Sequence, residues 1–174
     1  MMAHSQGTAA TLYGLVRLPE FFKEHVSNVA LFSPVGLMNN MEPAVHLIGR
    51  FAIDHEDWLR SMGMNEFMPK PKHNIIPTLV EFVPSIAMAI LHLSTSEYTA
   101  NIDVGVLKSY LGHYPSGSAL SCALHIWQLY YDADFKEYDH GWDENWLIYG
   151  QGEPPLIDLT TIQELGLPIA IFQA

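Results

Sequence analysis

The chain has 174 residues, enough for one domain with a sizeable core, and 49% of them are apolar, including 4 Trp, 8 Tyr and 8 Phe. That composition excludes a disordered polymer. Only 8 Lys and Arg face 19 Asp and Glu, a formal charge of −11, so the clustered cations needed for nucleic acid or an anionic membrane surface are missing.

In chain order, Gln6 to Leu18 predicts a helix with Ala9, Leu12, Tyr13 and Val16 on one stripe, interrupted by Pro19. Asn28 to Ser33 is a short apolar run ending at Pro34, which suits a buried parallel strand. A helix followed by such a strand is half of an α/β unit. From Gly36 to about Asn145 the pattern is mainly helical, with frequent Pro and Met. Ile75 to Leu93 is the longest apolar region; Pro77, Glu81 and Pro84 interrupt it, so it reads as amphipathic structure and not as a transmembrane span. Within it, Ser85 to Leu93 predicts a short helix behind Pro84. Ala119 to Tyr131 is the clearest helix, with Leu120, Leu124, Trp127 and Tyr131 on one face and Ser116 or Ser118 as its cap. Asp132 to Glu144 reads as an acidic, aromatic-rich loop, and Leu167 to Phe172 as a second buried strand.

Cys122 is the single cysteine, so no internal disulfide forms, and its apolar setting predicts burial. Met1 to Gln6 lacks the basic start and apolar stretch of a signal peptide. Nine histidines would reduce the negative charge below about pH 6.5.

The sharpest chemical motif is Ala3-His4-Ser5-Gln6-Gly7-Thr8. A nucleophile elbow usually reads G-x-S-x-G, with small residues beside a serine whose backbone is strained and close to its neighbours. Here Ala3 replaces the first glycine. The helix that follows would put N–H groups beside the serine, where acyl transfer develops negative charge; the backbone N–H of Gln6 is then an oxyanion donor. The alternative is that Ser5 only caps a helix. A nucleophilic serine also needs a base. His4 is adjacent but points elsewhere, and no pattern selects among His25, His46, His55, His73, His92, His113, His125 and His140. His125 reads as a packed or polar-face residue.

No metal or cofactor is expected. His55-Glu56-Asp57 is similar to the start of H-E-x-x-H, but Leu59 occupies the second histidine position. Asp132-Ala133-Asp134 starts like a calcium loop, but Glu137 stands at its glycine position. Both read as solvated acidic surface, and no Gly-rich phosphate loop is present.

Several segments together resemble the acid lipase family, which includes gastric and lysosomal acid lipases. Ala3 to Thr8 is similar to that family's G-H-S-Q-G-T elbow, and Leu31-Phe32-Ser33-Pro34-Val35 to its next strand. Glu66 to Pro69 resembles a cap segment, and Tyr110 to Ser118 the S-H-x-P-A-G-T/S stretch, followed by a helix similar to His125-Ile126-Trp127-Gln128. Phe135 to Gly141 and Asn145 to Tyr149 resemble F-x-x-Y/F-D-x-G and N-x-x-x-Y. Pro154-Pro155, Leu159-Thr160 and Pro168-Ile169-Ala170 continue the order into the next strand.

This resemblance implies an internal piece of an α/β-hydrolase. Residues 1–35 would be partial core with the elbow, 36–150 a helical cap, and 151–174 the return to the core. It implies Ser5 as nucleophile, Gln6 as backbone oxyanion donor, and neutral lipid esters (triacylglycerol or sterol esters) as substrate. In the family the triad aspartate follows the strand represented by Leu167 to Phe172, and the histidine lies further on. The strand entering the elbow and the second oxyanion donor are expected before Met1. The isolated chain is therefore expected to be inactive, with a meagre two-stranded sheet. The competing expectations are a non-catalytic lipid-binding or interaction module and a hydrolase completed by another chain. The family's secretory or lysosomal destination does not carry over, and the sequence sets no oligomeric state.

Overall fold

The computed structural model describes residues 1–36, 43–70, 103–113 and 116–173. The Ile75 to Leu93 region, with its expected helix, lies outside the described residues. The chain groups into two compact units, 1–63 with 121–174, and 64–120. It is a mixed helix and sheet structure with a small parallel sheet, compatible with a partial α/β class.

In the first unit, β1 (Met2–His4) leads through Ser5 into α1 (Gln6–Arg17) and α2 (Pro19–His25), then β2 (Val29–Phe32). Proline at the first position of α2 starts a new helix without losing a hydrogen bond, because first-turn N–H groups have no intrahelical acceptor. β5 (Ile169–Phe172) completes a three-stranded parallel sheet in the order β1-β2-β5. The register pairs His4 with Phe32 and Phe32 with Phe172, so all three strands end level. This corrects two expectations. The strand entering the elbow is present as Met2–His4, and the sheet has three strands. Three residues carry no readable period; only the parallel partner reveals them as a strand.

Alternation along β2 turns Val29 and Leu31 into the core, where they meet Leu15 of α1 and Phe22 of α2. The other side of α1 presents Ala9, Leu12 and Val16 to a second cluster of Val35, Leu129, Phe135 and Ile157. Thus α1 lies between two apolar layers. Its deepest residues are Thr8, Thr11 and Leu15, while Tyr13 of the expected stripe is exposed. Leu129 belongs to α6 (Leu120–Asp132), whose expected face is buried at Leu120, Leu124 and Trp127. α3 (Pro43–Asp54) approaches that helix so closely at Gly49 that an added Cβ would lie 2.5 Å from Trp127 Cδ1. α4 (Glu56–Ser61) follows α3.

Residues 133–141 form the expected loop, but a helix, α7 (Trp142–Tyr149), begins inside the span assigned to it. Gly141, at φ 87°, turns the chain into α7 in a conformation that side chains disfavour. Asn145 then anchors the turn. Fully buried, it accepts from the His140 N–H (3.0 Å) and donates to Asp139 Oδ1 (2.7 Å) and the Gly152 carbonyl (2.9 Å). A 3₁₀ helix (Leu159–Leu165), capped by Asp158, leads to β5. In the second unit, β3 (Glu66–Phe67) pairs antiparallel with β4 (Ser118–Ala119), and Asp103 accepts from Gly105 and Val106 N–H at the start of α5 (Val104–His113). Ser118, offered beside Ser116 as a possible cap of α6, is thus a strand residue paired with Phe67. No described helix is long and apolar enough to cross a membrane.

Tyr138 ties the loop to α4 by donating to both carboxylate oxygens of Glu56, each at 2.9 Å, while Arg60 holds the same carboxylate at 2.6 Å. Burial first, and then the Glu56 carboxylate, pushes the Tyr138 phenol above its ordinary value. The folded state keeps this proton where the unfolded chain begins to lose it, near pH 10. The Tyr138 contribution is therefore complete below about pH 10 and declines as pH rises further. Urea unfolding between pH 8 and pH 11 should show a steeper loss of stability in the native chain than in Tyr138→Phe. Equal slopes would contradict the tie.

Candidate active site

Ser5 occupies the junction between the C-terminal end of β1 and the first residue of α1. Its backbone lies at φ 49°, ψ −127°, a region that L-residues rarely occupy and that costs about 1–3 kcal/mol. Its side chain is exposed and makes no capping hydrogen bond to α1. The simple N-cap alternative therefore lacks the bond that would define it.

Three hydrogen bonds fix the peptide planes around Ser5. Its N–H donates to the Phe32 carbonyl at 3.0 Å, continuing the β1–β2 ladder by one residue. Its carbonyl accepts from the Thr8 N–H at 2.8 Å and from Thr8 Oγ1 at 2.5 Å. Gln6, as the first residue of α1, has a backbone N–H with no intrahelical acceptor. It stands at the positive end of a 12-residue helix with no acidic residue in its first turn to offset that field. The Gln6 side chain is turned away to the carbonyl of Cys122 on α6, at 3.4 Å. Cys122 itself is partly exposed, against the expectation of burial, because Ala123 and Leu124 take the inward face of α6 at that turn.

The residues flanking the serine differ in their surroundings. Ala3 packs against the core of Leu15, Val29 and Leu31. Gly7 does not match the expectation of close packing: an added Cβ would meet no described heavy atom within 4 Å. A second serine sits beside the first. Ser33 follows β2 as Ser5 follows β1, also with a left-handed φ of 46°, and its N–H donates to the Phe172 carbonyl at 2.8 Å. The ends of parallel strands are where open α/β sheets bind ligands.

No described residue hydrogen-bonds the Ser5 hydroxyl. His125 is a packed residue, its Nε2 at 2.9 Å from the Lys136 carbonyl. A cavity of about 220 Å³ adjoins Gln6, Ala9, Tyr13, His125 and Phe135 and is mainly apolar. A larger depression of about 450 Å³ lies elsewhere, around Asp54, His55, Glu56 and Asp139. The second is larger, and the first adjoins Gln6, next to the strained Ser5. Among the described residues, no three His, Cys, Asp or Glu side chains converge as metal ligands. Sequence pattern did not single out Thr8 or Ser33. Strand register places Ser33, and its position in the first turn of α1 places Thr8.

The strain makes a measurable prediction. Glycine adopts the Ser5 conformation freely but loses more chain entropy on folding, about 0.5–1 kcal/mol. Ser5→Gly should therefore stabilise the chain by roughly 1 kcal/mol in urea unfolding, and Ser5→Ala should change it by less than about 0.5 kcal/mol. A Ser5→Gly variant less stable than Ser5→Ala would mean that the backbone at this position is unstrained.

Comparison with curated proteins finds similarity to lipases over most of the chain. It is 26% identical over 177 residues to Lipase member N of Homo sapiens, covering 98% of this chain and 43% of that protein. It is 22% identical to Lipase lipl-1 of Caenorhabditis elegans, covering 92% of this chain and 41% of that protein. With Triacylglycerol lipase 1 of Arabidopsis thaliana it shares 23% identity over 93% of this chain and 40% of that protein. The chain thus spans about two fifths of the length of these relatives. No family model matches. Similarity to three lipases over nearly the whole chain supports a lipase family.

Proposed function

We propose that this chain is part of an acid-lipase-type serine hydrolase of the α/β-hydrolase fold, acting on neutral lipid esters. One observation carries the reading: a serine at φ 49°, ψ −127° stands between a parallel strand and the N-terminus of a helix. That is the geometry an elbow needs to present a hydroxyl above a sheet. Ser5 Oγ attacks the ester carbonyl and gives its proton to the triad histidine, which this reading places outside these residues; the Gln6 N–H stabilises the oxygen that becomes negative, the histidine protonates the departing alcohol, and water then releases the fatty acid from the acyl-serine. Residues 36–150 act as a cap that shelters the acyl chains, between core segments 1–35 and 151–174. The names of the matched relatives support an ester-lipid substrate.

In this reading the aspartate and histidine of the triad are not among these 174 residues, and the isolated chain is inactive. The lack of a described partner for the Ser5 hydroxyl also favours a second reading, a lipid-binding module without catalysis. Hydrolysis of a triacylglycerol emulsion by the natural polypeptide that contains these residues separates the two. Ser5→Ala should lower kcat at least about 10⁴-fold, while the 174-residue chain alone gives no Ser5-dependent turnover. Hydrolysis that survives Ser5→Ala within tenfold would defeat the catalytic reading. Lipid binding without any hydrolysis would favour the second.

A further inference from the structure

We infer that Thr8 is a positioning residue that sets the direction of the Gln6 N–H, the oxyanion donor. The inference rests on the reading of Ser5 as nucleophile.

Thr8 is completely buried, which is unusual for a hydroxyl side chain unless its bonds are satisfied. Its Oγ1 has one proton and donates it to the Ser5 carbonyl at 2.5 Å. The same oxygen accepts from the Val35 N–H at 2.7 Å. Val35 follows β2, and Ser5 N–H is already held by Phe32 of β2. The peptide before Ser5 and the peptide after it are therefore both tied to one stretch of chain, Phe32 to Val35. A strained φ/ψ pair persists only when its surroundings fix it from more than one side. Here those sides are the strand ladder and Thr8.

The Ser5 carbonyl and the Gln6 N–H belong to one planar trans peptide, so they point in opposite directions. Holding the carbonyl inward on Thr8 turns the Gln6 N–H outward. Without the Thr8 hydroxyl, this peptide would lose one of its two carbonyl bonds, and the buried Val35 N–H would lose its acceptor. The Ser5–Gln6 peptide would then be held by the Thr8 N–H alone and free to tilt, so the Gln6 N–H would lose its fixed direction toward the developing oxyanion. Thr11 provides the contrast. Also buried on α1, it donates to the Gly7 carbonyl at 2.8 Å, a back-bond within the helix that does not reach Ser5.

The test is steady-state hydrolysis by the natural polypeptide carrying Thr8→Val, Thr8→Ser, Thr11→Val or Ser5→Ala. Thr8→Val keeps shape and removes the hydroxyl. It should lower kcat roughly 10- to 100-fold and leave KM within about twofold. Thr8→Ser keeps the hydroxyl and should retain kcat within about threefold; Thr11→Val should do the same. Native kcat in Thr8→Val, beside a Ser5→Ala that is dead, would overturn the role of Thr8 and leave that of Ser5 standing. An active Ser5→Ala would instead overturn the reading on which it rests. Should Thr8→Val fail to fold, Thr8→Ala takes its place. A kcat lowered at least tenfold beside a native Thr8→Ser supports the hydroxyl's role, and native kcat in Thr8→Ala contradicts it.

Discussion

The parallel pairing of β1 with β2 is the constraint on which the rest of the first unit depends. Met2, Ala3 and His4 align with Ala30, Leu31 and Phe32, and the ladder continues one step further through the Ser5 N–H. That last bond leaves the chain pointing along the strand with a helix still to begin. The turn must be completed within a single residue, so Ser5 takes up a left-handed φ. The exposed hydroxyl, the outward Gln6 N–H and the helix field all follow from that reversal.

Packing makes the reversal durable. α1 is held on one side by Leu31 and Phe22 and on the other by Leu129, Phe135 and Ile157, so it cannot tilt to relax the turn. The second layer depends on the loop after α6, and that loop is fixed by polar bonds. The Phe135 carbonyl accepts from the Ile157 N–H, Arg17 of α1 pairs with Glu137 at 2.8 Å, and Tyr138 and Asn145 close the rest. The Arg17 pair is half exposed and contributes little energy, but it fixes the end of α1 to the loop. Conformational strain at one serine is thus opposed by two apolar clusters and a polar network over 100 residues away in sequence.

Much of this was legible in the residues. The apolar run Asn28 to Ser33, ended by Pro34, located a buried strand, and the spacing of Leu120, Leu124 and Trp127 located α6 and its inward face. Ala3-His4-Ser5-Gln6-Gly7-Thr8 marked the turn before any geometry was known. What failed to show has physical causes. β1 is too short to carry a period and is defined by its partner. The face of α1 holding Thr8, Thr11 and Leu15 escaped the apolar stripe because threonine scores as polar, yet here each hydroxyl finds an internal acceptor. The start of α7 was hidden in an acidic, aromatic run, where Gly141 and the buried Asn145 decide the conformation through bonds to residues on both sides. The open space beside Gly7 shows the reverse error, a family motif read as a packing requirement.

The central claim is that the backbone at Ser5 is shaped to make this one serine reactive among all those in the chain. The direct measurement is to treat the natural polypeptide containing these residues with an alkyl fluorophosphonate and map the modified peptide by mass spectrometry. The account predicts a single adduct on the peptide that carries Ser5, formed in the folded protein and lost after unfolding in urea. An adduct on Ser33 or any other serine, with Ser5 unmodified, would contradict it.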